Sequence, residues 1–302
     1  MQIDIIGVPI DLGADRRGVD MGPSAMRYAH LRQKIEDLGH QVNDTGNIEV
    51  PIAETCTINE PRLKYIDCIL PMARRAAGAV ATSLAAGRFP LVLGGDHSLS
   101  LGSIRGAAKA RKIGLIWVDA HADFNTDKTT PSGNIHGMPL AALCGLGDLR
   151  LTQLWGEDPV AVDPRRVAVI GARDLDPGEK ANLREAGVLV MGMEQIDRLG
   201  MTAAVEKAIA VVSQDVDGLY MSFDVDALDP RHAPGVGTPV AAGLTQREGH
   251  VACELVGETG KLIGMDIVEV NPILDVQNQT AALAVEYVLS ALGKRIWEGN
   301  NI

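Results

Sequence analysis

Residues 113–125 read IGLIWVDAHADFN, and no other stretch constrains the fold as much. Ile113 to Val118 carry no charged side chain and show no alternation of apolar and polar residues. An alternating strand hides one face, whereas this one must hide both, as strands do in parallel sheets covered by helices on each side. The chain then turns abruptly to charge, with Asp119, His121 and Asp123 at i, i+2 and i+4. In extended backbone a period of two sends all three side chains to the same side. Three metal-capable groups therefore converge at the carboxyl end of a buried strand.

By itself DxHxD is a weak signal, because loop carboxylates beside a solvated histidine are common. Its weight comes from what ends the other strands. Strands are expected at 2–8, 41–48, 89–93, 167–170, 188–191, 219–223 and 262–268, and helical patterns lie at 23–38, 64–86, 98–110, 177–186, 202–214, 245–257 and 275–292. This alternation, without a linker or internal repeat, implies one α/β domain over 1–302. The expected architecture is a three-layer α/β/α arrangement around a mostly parallel sheet of about eight strands.

Such sheets bind ligands outside the carboxyl ends of their strands. There the sequence sets His97, then the Asp119/His121/Asp123 triplet, then Asp224 and Asp226, and finally Glu269. Like charges crowded into a desolvated crevice call for cations among them. Carboxylate and imidazole without thiolate favour a hard or borderline divalent ion such as Mn(II) over structural zinc. Six ligands are too many for one ion that also keeps a water, and they suit two ions sharing bridging carboxylates.

Composition narrows the partners. A formal charge of −11 with no Lys/Arg-rich run argues against nucleic acid. Cys56, Cys68, Cys144 and Cys253 lack CxxC spacing and are expected as reduced thiols of a cytoplasmic chain. The first residues include Asp4 and no basic leader, and the longest apolar stretch, 69–86, is broken by Arg74 and Arg75, which argues against secretion and membrane insertion. Gly94-Gly95 matches neither GxGxxG nor GxxxxGK[ST], so no phosphate cradle is expected. His30, His40, His232 and His250 are expected to be solvated.

Five ordered motifs then carry a resemblance: LGGDHS at 93–98, DAHADFNT at 119–126, SGNIHG at 132–137, SFDVDALDP at 222–230 and GMDIVEVNP at 264–272. Together they resemble the ureohydrolase superfamily, and within it the arginase family, from GVPID near the N-terminus to the last helix. The resemblance implies two Mn(II) ions per subunit. His97, Asp119, Asp123 and Asp224 would hold one, and Asp119, His121, Asp224 and Asp226 the other, with Asp119 and Asp224 as bridges. It implies hydrolysis of L-arginine to L-ornithine and urea by attack of a bridging hydroxide on the guanidinium carbon, with His136, Asp123 and Glu269 as the catalytic residues. It also implies that Asn125 and Ser132 recognise the substrate carboxylate, that Asp176 reads its α-amino group, that Thr238 lines the pocket, and that the chain forms a homo-oligomer, a trimer or hexamer.

The chemistry of the residues runs the same way. A guanidinium cation needs a carboxylate anchor, for which Glu269 is the candidate, and the leaving amine needs a proton, which His136 can supply. Asp176-Pro177-Gly178-Glu179 equally reads as a helix N-cap. Two other functions compete. One is a ureohydrolase acting on agmatine or guanidinobutyrate, against which the SGNIHG loop and Asn125 count. The other is a metal-stabilised binding protein without catalysis, against which the intact ligand set counts.

Overall fold

Each apolar run becomes a strand of one sheet, and each intervening helical segment returns the chain so that the next strand starts from the same end. In chain order the elements are β1 (Gln2–Val8), α1 (Gly22–Tyr28), α2 (Leu31–Asp37), β2 (Gln41–Asn47), α3 (Ile66–Ala85), β3 (Phe89–Gly94), α4 (Ser100–Ala110), β4 (Ile113–Val118), α5 (Pro139–Leu143), α6 (Leu149–Thr152), β5 (Val167–Ile170) and α7 (Pro177–Ala186). There follow β6 (Leu189–Met191), α8 (Met193–Leu199), α9 (Met201–Val212), β7 (Gly218–Asp224), α10 (Gln246–Glu258), β8 (Leu262–Val268) and α11 (Gln279–Ala291). The structure, a computed structural model, describes residues 1–154, 156 and 158–297; the last five residues of the expected 1–302 domain lie outside them.

The strand order is β2-β1-β3-β8-β7-β4-β5-β6, with every pairing parallel. The two-residue period divides the core into two layers. Ile116 and Val118 of β4 pack with residues of α1, α2, α9, α10 and α11, whereas Ile113, Leu115 and Trp117 enter the layer of α3, α4 and α5. The expected α/β/α architecture is therefore found. Its consequence for function lies in the middle of the order, where β3, β8, β7 and β4 stand side by side. Their carboxyl ends carry His97, Glu269, Asp224 and Asp119, which are remote in sequence.

Several expectations change. The single helix at 23–38 is two helices, because His30 adopts the left-handed conformation (φ 63°) between α1 and α2. The last helix starts at Gln279 rather than 275, since Gln277 and Asn278 both have positive φ. Helices α5, α6 and α8 were not anticipated; each is too short to display a helical period. Cys56 and Cys68 are joined as a disulfide, which corrects the expectation of reduced thiols throughout, while Cys144 and Cys253 are free and buried. Their separation of 12 residues carries no pairing signal, and it is the packing of the loop on the first turn of α3 that brings their Cα atoms to 6.6 Å. His40 and His250 also have protein partners, Leu292 O at 3.0 Å and Ser290 Oγ at 2.9 Å. No described helix is long and apolar enough to cross a membrane.

Helices α3 and α4 approach so closely that a Cβ on Gly102 would lie 2.4 Å from the carbonyl oxygen of Ala73. Helix propensity alone favours Gly102→Ala by about 1 kcal/mol. Overpacking against backbone costs about 1–3 kcal/mol and should win. Gly102→Ala should therefore lower the thermal midpoint, and a midpoint at or above that of the unmutated protein would show that the helix pair can open at no cost.

Candidate metal centre

Hydrogen bonds fixed at the strand ends aim each candidate ligand. Asp119 follows β4 and donates its N–H to Ile170 O at 2.9 Å. Its carboxylate accepts from Trp117 Nε1 at 2.9 Å and from His121 N at 2.7 Å. Asp123 is left-handed (φ 49°), and its carbonyl accepts from Leu140 N and Ala141 N at the start of α5. Asp224 closes β7 and accepts from Asp226 N at 2.7 Å. His97 follows a tight passage in which a Cβ on Gly95 would meet Ile10 O at 2.1 Å, so only glycine fits there. Next to it, the buried Asp96 carboxylate accepts from Gly13 N and Ser98 N, which fastens the N-terminal loop to this edge.

The groups meet as two sets. His97 Nδ1 lies 3.2, 3.0 and 3.1 Å from carboxylate oxygens of Asp119, Asp123 and Asp224, yet it is buried and makes no hydrogen bond to any of them. His121 Nδ1 lies 3.3 Å from Asp119 and 3.2 Å from Asp226. In each set, His97/Asp119/Asp123 and Asp119/His121/Asp226, the ligand atoms lie within 4.8 Å of one another, and Asp119 belongs to both. Burial pushes the Asp224 carboxyl well above its ordinary range, and repulsion from Asp226 and Asp119 adds to this. Asp123 is pushed up to about 6 by burial and by the charge of Asp119. Burial opposes charging of both histidines, but the carboxylates around them outweigh it and raise both well above the ordinary value. An unpartnered imidazole nitrogen among converging carboxylate oxygens is the environment of a cation, and the N/O donor set fits a divalent pair.

Beside this cluster opens a cleft lined by His121, Asp123 and Asp224 and by four other expected residues, Asn125, Ser132, His136 and Thr238. Thr238 Oγ1 donates to Asp226 at 2.8 Å. Asp176 also lines the cleft, but as the N-cap of α7 it shares a reciprocal capping box with Glu179. Asn125 Nδ2 donates to Asp176 at 2.9 Å and its Oδ1 accepts from Thr129, so both polar ends of Asn125 are already engaged. Glu269 is buried, in a left-handed conformation (φ 65°), and is not among the cleft-lining side chains. Its Oε1 accepts from His97 N at 2.9 Å and lies 3.2 Å from His136 Nδ1, while Oε2 has no partner.

Glu179, Asn134, Thr130 and Asp174 line the same cleft and were missed. The DPGE spacing at 176–179, a capping-box signature, was the available signal for Glu179. Burial raises Glu179 to about 7, against a hydrogen bond from Phe124 N and with the charge of Asp123. Asn134 leaves its buried Oδ1 unpartnered, which only the folded loop reveals.

The model of the arginase family matches residues 1–293. An arginase of Brevibacillus brevis is 49% identical over 295 residues, covering 97% of this chain and 98% of that one. The solved arginase of Bacillus caldovelox is 48% identical, with a TM-score of 0.94 over 98% of this chain and 99% of that one. The solved arginase of Bacillus cereus is 47% identical, with a TM-score of 0.93 over 98% of this chain and all of that one, 100%.

His136 provides a test on metal-free protein. Burial opposes its charging, but the hydrogen bond and charge of Glu269 prevail and push it up to about 9. A raised folded-state pKa gives stability that is complete below the ordinary value of 6.5 and is lost as pH rises through about 9. In chelator-treated protein, the thermal midpoint of the unmutated chain minus that of His136→Asn should be largest near pH 6 and should shrink to a constant above about pH 9. A difference independent of pH would show that the imidazolium gains nothing from Glu269.

Proposed function

The chain belongs to the arginase family and hydrolyses L-arginine to L-ornithine and urea, and we propose that it does so with two Mn(II) ions held by His97, Asp119, His121, Asp123, Asp224 and Asp226. The observation that carries the metal assignment is the buried, unpartnered Nδ1 of His97 among three carboxylate oxygens at 3.0–3.2 Å. Asp119 and Asp224 would serve both ions, with His97 and Asp123 holding one and His121 and Asp226 the other. When bound, such a pair supplies a water-derived nucleophile at neutral pH.

The other residues bind, orient and move protons. Thr238, through its hydrogen bond to Asp226, fixes the lone pairs that this carboxylate presents. Glu269 keeps His136 protonated through Nδ1, which leaves Nε2 as the nitrogen that gives a proton to the departing δ-amine when the guanidinium C–N bond breaks. Glu269 stands off the cleft wall with Oε2 buried and unpartnered, so in this reading it acts on the guanidinium through His136 and not as a direct anchor. At the outer end Ser132 receives Asn134 N on its oxygen, so its hydroxyl proton remains for the substrate carboxylate. Asn125 orients Asp176 toward the α-ammonium as well as belonging to the carboxylate side. The same proposal extends to a trimeric or hexameric homo-oligomer, supported by the family resemblance alone and open to test by sedimentation, and to a cytoplasmic location, which the free Cys144 and Cys253 support and the Cys56–Cys68 disulfide opposes.

Elemental analysis should find two manganese ions per active chain, and one tightly held zinc with full activity would refute this reading. His136→Asn should keep both ions and lower turnover by roughly 10²–10⁴, the usual worth of one acid–base group. Loss of metal in that variant would make His136 a ligand instead.

Discrimination between L-arginine and agmatine, which lacks only the α-carboxylate, tests the head-group assignment. Sites that hydrogen-bond a substrate group reject analogues lacking it by up to about 10⁴–10⁵. Water in this open cleft should reduce that to roughly 10²–10⁴ in kcat/KM. Ser132→Ala and Asp176→Ala should impair arginine more than agmatine, and an equal loss on both substrates would remove these residues from head-group recognition.

A further inference from the structure

Nδ1 of His97 faces the carboxylates, and its other ring nitrogen points away from the cleft into the sheet. Nε2 lies 2.8 Å from Ser222 Oγ. Ser222 Oγ in turn lies 2.5 Å from Asp266 Oδ1. Ser222 and Asp266 are direct register partners on β7 and β8, so the contact is built into the strand pairing. Asp266 is fully buried, and its second oxygen accepts from Ser100 Oγ at 3.1 Å and Ser103 Oγ at 2.5 Å. Three hydroxyls thus converge on one carboxylate beneath the metal-binding edge.

The proton count gives this chain of bonds a direction. A hydroxyl has one proton to donate, and an ionised carboxylate only accepts. Ser222 spends its proton on Asp266, so its oxygen must accept from His97, which requires the hydrogen on Nε2. An imidazole that binds a cation is neutral and carries one N–H, so with the hydrogen on Nε2 it is Nδ1 that would offer its lone pair to the gap between Asp119, Asp123 and Asp224. The ring plane is fixed as well, because His97 stacks on Trp117 with centroids 4.0 Å apart and planes 8° from parallel. His121, whose side chain is 25% exposed, lies outside this chain of bonds.

We propose that Asp266, acting through Ser222, is the positioning residue that holds His97 in the Nε2–H form and so presents Nδ1 to one of the two cations. This rests on the reading of His97 as a metal ligand. In Asp266→Asn the amide can itself donate to Ser222 Oγ, which lets the serine hydroxyl turn toward Nε2 and drive the proton to Nδ1, where it blocks the cation.

The test is a double-mutant cycle read on Mn(II) binding by titration calorimetry, with the unfolding midpoints of the metal-free proteins as the folding control. Asp266→Asn and Ser222→Ala should each weaken one of the two ions by about 10–100-fold, the usual effect of losing a partner that orients a ligand. The other ion should bind as before, and the double variant should lose no more than the weaker of the two single variants. Asp266→Ala, which also removes the carboxylate, replaces Asp266→Asn if that variant does not fold. Unchanged affinity, equal weakening of both ions, or additive losses in the double variant would each overturn the relay. His97→Asn separates this from failure of the underlying assignment: if that variant still binds both ions as tightly, or if the unmutated chain binds fewer than two, the metal reading falls and the relay falls with it.

Discussion

Desolvated negative charge governs this molecule. Asp119, Asp123, Asp224 and Asp226 are all buried at the edge of one sheet, with His97 and His121 set among them. Two like charges 4 Å apart repel by about 4 kcal/mol at an effective dielectric constant of 20. Without cations the cluster relieves this by holding protons, as the raised positions of Asp123, Asp224 and both histidines show. Divalent ions relieve it better, since each replaces more than one proton. Protons and metal therefore compete for the same sites, as expected wherever ligands must be deprotonated to bind.

Sheet topology is what permits such a cluster. Strands β3, β8, β7 and β4 are neighbours, and in a parallel sheet all four deliver their next residues to the same edge. Backbone strain completes the aiming at two places. Asp123 and Glu269 are both left-handed without being glycine, a conformation that costs of order 1–3 kcal/mol and persists where the surroundings enforce it. Those surroundings are visible: Leu140 N and Ala141 N fasten the Asp123 carbonyl, and Glu269 N bonds to Gly95 O at 2.8 Å.

The cleft separates two tasks. Part of its wall is formed by His121, Asp123, Asp224 and His136, and part by Asn125, Ser132, Asn134, Asp174, Asp176 and Glu179. Asp176 and Glu179 belong to the capping box of α7, so two of the carboxylates on the cleft wall also cap the start of a helix. That double duty makes this part of the wall rigid, since moving Asp176 would unpair helix N–H groups. Asn125 is drawn into the same unit through its hydrogen bond to Asp176.

The alternation of elements, the buried parallel sheet and the six metal-ligand candidates were legible in the amino-acid order. These are written in local patterns: an unalternating apolar run, a two-residue spacing of ligands, and charge placed where a strand ends. Such patterns depend on neighbours a few residues away and survive without knowledge of the fold. The folded chain alone settles which strands are adjacent, that Glu269 lies behind His136 instead of on the cleft wall, that Asn125 is engaged by Asp176 and Thr129, and that the loop carrying Cys56 packs on the first turn of α3 beside Cys68. It alone revealed the role of Asp266, a lone acid within an apolar run that acquires its partners only when β8 pairs with β7 and α4 packs beside them. The reason is physical: a side chain's chemistry depends on which atoms surround it in three dimensions, and for buried polar groups those atoms come from segments that are distant in the chain.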